Sequence, residues 1–191
     1  MANYLELRRQ MFHALLGVAI VLGVIYGLLT VKRLLLVFII GVILSGLSTG
    51  FRIPVIGWFL ERFDRKGERI PGKGAVFFVL GSILVLALFP QSIALAGIMI
   101  LALGDSLATI VGLHLGKVRS VNRKSMEGFF AGVTAAFIGA MLFVDYISAL
   151  AGSLAAMCLE LLEVRLGSRI VDDNIMVPMV AASVMWILTL F

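Results

Sequence analysis

The sequence is poor in charge and in the residue types that build soluble sites. Of its 191 residues, 14% are charged, four are proline and one is cysteine; about 25% charge is usual in soluble domains. The single cysteine, Cys158, excludes a disulfide framework and a cysteine-based metal cage, and reads as a small buried apolar group. No run alternates as the strands of a membrane barrel do. No G-x-x-x-x-G-K-[ST] occurs, which excludes a Walker-type nucleotide site. The first apolar run ends without an A-x-A-like cleavage signal and so reads as a retained span. Neither an internal repeat nor a low-complexity tract is present.

What is abundant is apolar. Hydrophobic residues make up 61% of the chain, the 20 glycines raise the apolar share to about 71%, and the mean hydropathy is +1.12. A chain this short has too much surface to hide so much apolar area from water, so lipid is its natural solvent. A spanning helix needs roughly 20 apolar residues. Such runs fall at about 11–29, 34–51, 74–90, 92–113, 128–145, 147–164 and 175–191. Backbone polar groups must be paired inside hydrocarbon, so these runs are helical. The expectation is an all-α integral membrane protein: one polytopic domain over 1–191 with about seven transmembrane helices. The short gaps at 30–33, 90–91 and 145–147 read as tight turns on the outer side.

Seven spans place 14 of the 16 lysines and arginines on one side. Positive loops stay in the cytoplasm, so the N-terminus and the loops 52–73, 117–124 and 165–169 are expected inside, and the C-terminus outside. The expected localisation is a multi-pass position in a membrane, the cell membrane if the cell is prokaryotic, with the site on the cytoplasmic face. Within 56–70, Ile56, Phe59, Leu60 and Phe63 share one helical face, Arg62, Arg65 and Lys66 lie elsewhere, and Trp58 suits the headgroup level. This spacing predicts a short interfacial helix in the second cytoplasmic loop, ended by Pro71-Gly72-Lys73-Gly74.

The polar residues that interrupt apolar runs carry the chemical information. Asp105, flanked by Gly104 and Ser106, lies inside the fourth run. A carboxylate there is costly unless paired, hydrated or metal-bound, and marks a functional site by default. Thr109 is four residues on, on the same face, with Gly112 and Gly116 nearby. Gly112, Gly116, Lys117, Arg119, Arg123, Lys124, Ser125, Glu127 and Gly128 follow. Clustered cations with accessible backbone N–H groups hold phosphates, although positive-inside loops carry such charges without a ligand. Glu160 and Glu163 share a face near the inner end of the sixth run, and Asp172, Asp173 and Asn174 precede the seventh. Helix capping explains the last three equally well. All three clusters map to the cytoplasmic side, and carboxylates with cations at one depth suit a Mg²⁺–nucleotide site. His13 reads as a satisfied structural histidine and His114 as a loop residue. Small residues Gly128, Ala131, Gly132, Ala135 and Ala136 predict close helix packing in the fifth span.

The string Gly104-Asp105-Ser106-Leu-Ala108-Thr-Ile-Val-Gly112-(3)-Gly116-Lys117, followed by Lys124-Ser125-Met126-Glu127-Gly128 and then Asp172-Asp173-Asn174-(3)-Pro178, resembles the CTP-dependent lipid-alcohol kinases. These include dolichol kinase, phytol kinase and the CTP-dependent diacylglycerol kinase. The resemblance covers about residues 100–180. Phe129 stands where dolichol kinases often place Thr or Ser, and Thr109 where phytol kinases often carry a second Asp. The resemblance implies a small prokaryotic-type enzyme with CTP as donor. It would phosphorylate an isoprenoid alcohol such as a dolichol or polyprenol, or a glycerolipid alcohol, at the cytoplasmic interface with Mg²⁺ or another divalent cation. Asp105 becomes the catalytic residue. Asp105, Glu127 and Asp173 become metal ligands, and Gly112, Gly116, Lys117, Arg123, Lys124, Ser125 and Gly128 bind nucleotide phosphate. Ser106, Thr109, Glu160, Asp172 and Asn174 are further polar site candidates. A homodimer is compatible with this reading, and no nucleic-acid partner is expected. Two alternatives stay open: a CTP-dependent cytidylyltransferase that makes a CDP-lipid, and a small transporter whose buried carboxylates carry ions.

Overall fold

Each apolar run of the sequence emerges as a helix. The computed structural model describes residues 2–51, 53–64, 70–118, 124–162, 165–166, 169–170 and 172–190. Helix α1 is Ala2–Ile25, α2 Val31–Gly50, α3 Pro54–Phe63, α4 Lys73–Leu88, α5 Gln91–His114, α6 Met126–Ala140, α7 Tyr146–Leu162 and α8 Asp173–Leu188. The added helix, α3, falls on the amphipathic segment, starting two residues earlier than its periodicity suggests, while 65–69 lie outside the described residues. An antiparallel pair, Arg165–Leu166 with Arg169–Ile170, lies between α7 and α8. Three helices are long and apolar enough to cross a membrane: α1 over Tyr4–Ile25, α2 and α5. The apolar helices α4, α6, α7 and α8 have 16, 15, 17 and 16 residues.

Local chemistry sets the boundaries. Ser125 Oγ accepts from Gly128 N–H at 2.9 Å to start α6, and Asp172 Oδ1 accepts from Asn174 N–H at 3.2 Å to start α8. Asp145 Oδ1 takes the N–H groups of Ile147 and Ser148, each at 3.0 Å, ahead of α7. These side chains satisfy donors that a helix N-terminus leaves unpaired. The turns expected near 30–33, 90–91 and 145–147 separate α1 from α2, α4 from α5 and α6 from α7.

Helix α5 is the centre of the packing. It touches α1, α4, α6, α7 and α8, and 67% of its apolar window is buried. Ala94, Ile98, Ile100, Leu101 and Ala102 are wholly enclosed. Helix α2 rests on α4 and meets α3 at its end, and only 6% of its window is buried. The outer surface is apolar, with Leu15, Leu36, Ile43, Phe130, Ile138 and Leu142 exposed, while Gln10, His13, Ser82, Ser106, Ser153 and Glu160 are buried. An extensive apolar exterior around a core that also holds polar side chains departs from the pattern of a soluble domain. Cys158, expected in the interior, is exposed on α7, on the same face as exposed Leu154 four residues earlier.

Two backbone features shape the site. Residues Ile100–Asp105 of α5 are π-helical; the wider i→i+5 turn inserts a bulge, a feature frequent at functional sites, and it ends at Asp105. In α8, Pro178 has no N–H, so the Asn174 carbonyl four residues earlier loses its helical partner. That carbonyl lies against Gly81 of α4, where a methyl group would overlap it. Glycine at 81 lets α4 and α8 meet at this depth.

Candidate functional site

The site lies at one end of the helix bundle, where α4, α6 and α8 begin and α5 and α7 end. Asp105 stands nine residues before the end of α5, about 13 Å of helix from it. Its Oδ2 faces His13 Nε2 of α1 across 3.7 Å. His13 is buried, and its ring meets Phe78 edge-on at 4.5 Å between centroids. The next residue, Ser106, is buried and donates from Oγ to the Gln10 carbonyl at 3.0 Å. Gln10 Nε2 donates to Glu6 Oε1 at 3.2 Å, and Glu6 also pairs with Arg9. The N-terminal half of α1 is thus pinned to the π-helical turn that presents Asp105.

Lys124 joins the other two clusters. Its ammonium donates to the Glu160 carbonyl at 2.7 Å and to Glu160 Oε1 at 3.3 Å, and lies 3.6 Å from Asp173 Oδ2. Asp105 is close enough to Lys124, Glu160 and Asp173 to act on each electrostatically. Burial opposes the charge on Lys124, but the carboxylates of Glu160, Asp173 and Asp105 outweigh it, and the ammonium is held above the ordinary lysine range. Asp172 Oδ2 pairs with Lys73 of α4 at 2.8 Å, and its Oδ1 accepts from Asn174 Nδ2 at 2.8 Å. Asn174 also interacts with His13. Residues from α1, α4, α5, the α5–α6 connection, α7 and α8 therefore meet in one cluster, although they stand up to 164 positions apart in the sequence.

Two polar atoms of the cluster, His13 Nε2 and Glu160 Oε2, are buried and have no hydrogen-bond partner among the described residues. Such atoms are costly to leave unpaired. They mark a place where a ligand, a proton or water completes the bonding. Among the described residues, the cluster holds the carboxyl groups of Asp105, Glu160, Asp172 and Asp173 with the ammonium groups of Lys73 and Lys124. Among the described residues, however, no three His, Cys, Asp or Glu side chains stand close enough together to hold a metal ion by themselves.

Glu127 is placed apart from these carboxylates. Its Oε1 accepts from the N–H groups of Lys117 and Val118, each at 3.1 Å, and its Oε2 accepts from Ser125 Oγ at 3.1 Å. The Met126 N–H donates to the Val118 carbonyl at 3.0 Å. Glu127, just ahead of the fifth apolar run, thus clamps the two ends of the α5–α6 connection. Its own N–H, those of Val118 and Lys117, and the Ser125 hydroxyl hold its carboxyl down at about 2. The glycines of the motif sit at backbone contacts. A methyl on Gly128 would overlap the Ala108 carbonyl of α5, and one on Gly116 would overlap the Gly112 carbonyl and crowd Ser125 at 2.6 Å. Gly112 itself faces Ser125 and Gly128. These three glycines bring α5, α6 and their connection together, as the small-residue stripe of the fifth span predicts. Thr109 is half-buried and Lys117 exposed. His114 ends α5, with Nδ1 2.8 Å from the Ile110 carbonyl. Arg123, with Arg119, Asn122 and Glu163, lies outside the described residues.

Three members of the cluster are not among the site residues expected from the sequence. His13 is not a satisfied structural histidine: its Nε2 is unpaired and faces Asp105. Gln10 and Lys73 also belong to the cluster. Gln10 and His13 are three apart at the start of an apolar run, a polar face that helical periodicity makes visible. Nothing local marks Lys73 among the other cations of its loop.

No protein-family model matches the chain, and no solved structure matches it. The chain is 32% identical over 180 residues to the uncharacterized protein MJ1137 of Methanocaldococcus jannaschii, covering 93% of this chain and 91% of the relative. At that identity and coverage, this chain belongs to the same protein family as MJ1137.

Proposed function

We propose that the protein is a seven-span membrane enzyme that transfers the γ-phosphate of CTP to the hydroxyl of a lipid alcohol at the cytoplasmic interface, with an isoprenoid alcohol such as a polyprenol as the favoured acceptor. The observation that carries this reading is convergence. The three sequence segments that resemble the lipid-alcohol kinases meet in one cluster through Asp105, Lys124, Glu160, Asp172 and Asp173. The helices that bear them run alternately up and down, so one end of the bundle gathers their polar termini. The four helices of 15–17 residues reach about 22–26 Å, short of a roughly 30 Å core. Flanking residues and local thinning accommodate such a difference at modest cost. Positive-inside counting places the cluster on the cytoplasmic face, where CTP is available.

Phosphoryl transfer needs alignment and charge neutralisation more than covalent chemistry. The alcohol oxygen bonds to the γ-phosphorus, the bond from that phosphorus to the β–γ bridging oxygen breaks, and CDP leaves. The alcohol proton passes to the Asp105 carboxylate, which the π-helical turn and His13 hold in place. Asp173 and Glu160 are the carboxylates that would hold Mg²⁺, which takes one or two protein carboxylates and completes its shell with phosphate and water. The unpaired Glu160 Oε2 fits that role. Bound there, the cation would neutralise charge on the β and γ phosphates. Lys124 fixes the two carboxylates, and Lys117 and Arg123 supply phosphate contacts from the α5–α6 connection.

Purified protein in nanodiscs, given γ-labelled CTP or ATP and a panel of lipid alcohols and of their monophosphates, tests the reading. Label on the lipid together with free CDP supports a kinase. Pyrophosphate and a CDP-lipid would establish the cytidylyltransferase instead, and no nucleotide turnover with any acceptor would return the cluster to an ion-carrying role.

A further inference from the structure

A second feature borders the site at His13. A cleft of about 40 Å³ opens between α1, α3 and the start of α4, with Arg9, His13 and Asp64 in its lining. Aromatic rings line it as well. Phe12 meets Phe59 edge-on at 4.9 Å and Phe63 at 5.4 Å, and Phe59 and Phe63 are 4.7 Å apart. His13 is also the residue that faces Asp105 at 3.7 Å, so the cleft and the carboxylate meet at one side chain.

Helix α3 roofs this cleft and has no buried residue. Val55 and Trp58 are exposed on it, and the Arg62 guanidinium lies 4.5 Å over the Trp58 ring. An aromatic, a cation and apolar residues on a short helix suit the headgroup level of a bilayer. The roof is tied down at its far end. Gly72 N–H donates to Asp64 Oδ2 at 2.7 Å, Gly72 turns the chain with φ +69, and Ser45 Oγ of α2 donates to the Pro71 carbonyl at 2.6 Å.

We infer that this cleft is where the lipid acceptor docks: its hydroxyl end sits against Arg9 and His13, and its chain runs out over Phe12, Phe59 and Phe63 beneath α3 into the bilayer. The inference rests on the lipid-alcohol reading of the Asp105 site and adds the approach route and the residues that select the chain. Three observations favour this occupant. The cleft leads to His13 and hence to Asp105, the position that an acceptor hydroxyl must reach. Its lining sets the polar side chains of Arg9, His13 and Asp64 beside the rings of Phe12, Phe59 and Phe63, matching an alcohol head and a hydrocarbon tail. Its volume holds about three water-sized groups, enough for the head of the chain, whose length must then lie outside among lipids.

The test uses full-length protein in nanodiscs and no nucleotide. A polyprenol carrying a diazirine on its second isoprene unit is photolysed, a diazirine-bearing phosphatidylcholine is photolysed in parallel, and crosslinked residues are mapped by mass spectrometry. The polyprenol is expected to label Phe12, Phe59 or Phe63, and excess plain polyprenol should suppress that labelling about tenfold. The phosphatidylcholine should label the open face of α2. Equal labelling of the cleft by both lipids, or polyprenol labelling confined to the outer helix faces, overturns the inference. The variant Phe59→Trp narrows the cleft at an unburied helix and should raise KM for the lipid about tenfold while KM for CTP stays within about twofold; an unchanged lipid KM also overturns it. Competed cleft labelling without phosphate transfer would keep the lipid site and sink the kinase reading, and transfer with an unlabelled cleft would do the reverse.

Discussion

Helices α2 and α5 are nearly equal in hydropathy and opposite in position. Both are long and apolar enough to cross a membrane, yet 6% of one and 67% of the other is buried in protein. Helix α2 is built from large residues, Leu34-Leu35-Leu36 and Phe38-Ile39-Ile40 among them, and most of these point outward. Helix α5 intersperses Ala94, Ala96, Gly97, Ala102 and Gly104, which let α1, α6, α7 and α8 approach closely. Between lipid and protein there is little hydrophobic preference, so packing and polar contacts select the inner helix. Hydropathy identifies the membrane; small residues and buried polar groups identify the core. The helix that is enclosed is also the one that carries Asp105.

The contrast can be broken from either side. Among stability effects, the largest is expected at the support of the α5 cluster. Glu160→Leu removes one of the two carboxylates beside Lys124 and should cost roughly 2 kcal/mol, below a fully buried pair because Asp173 remains and Lys124 keeps 29% of its side chain exposed. Adding Lys124→Met should recover part of that loss, which denaturation of both variants in matched detergent would measure. Gly128→Val pushes a side chain into the Ala108 carbonyl and should cost about 2 kcal/mol by overpacking, read from the thermal midpoint. On α2, Ile40→Ala trims an exposed side chain and should stay within about 0.5 kcal/mol; a loss as large as that of Gly128→Val would show α2 to be packed against something other than lipid. The smallest effect is expected from acid. The Glu127 carboxyl titrates at about 2 in the folded protein against an ordinary 4.5, so its clamp on the α5–α6 connection contributes fully above pH 4.5 and is lost as pH falls toward 2. Glu127→Gln should flatten the pH dependence of melting in that window, and an unchanged slope would assign the acid response elsewhere.

The sequence made the helices legible because apolar run length is a strong signal in lipid. Asp105 was legible as a costly exception inside a run, and the four-residue step from Asn174 to Pro178 matches the helical register in which proline frees the Asn174 carbonyl. The enclosure of α5 was not legible, since a window average treats Leu and Ala alike. The π-helical turn has no compositional mark. The engagement of Glu127 by the amides of Lys117 and Val118, rather than by the Asp105 cluster, depends on how the α5–α6 connection folds back. His13 looked ordinary because its partner is 92 residues away; pairing at that distance is a property of packing.

The proposed phosphate transfer turns on the Asp105 carboxylate of α5, which is half-buried beside His13. Asp105→Asn keeps the size of the side chain and removes its charge. The direct measurement compares phosphate transfer from γ-labelled CTP to polyprenol by wild-type and Asp105→Asn protein in the same nanodiscs, with thermal melting followed in parallel. Labelled lipid from the wild type and none from the variant, with both proteins folded, is the predicted result. Equal labelling by the two proteins would contradict the account.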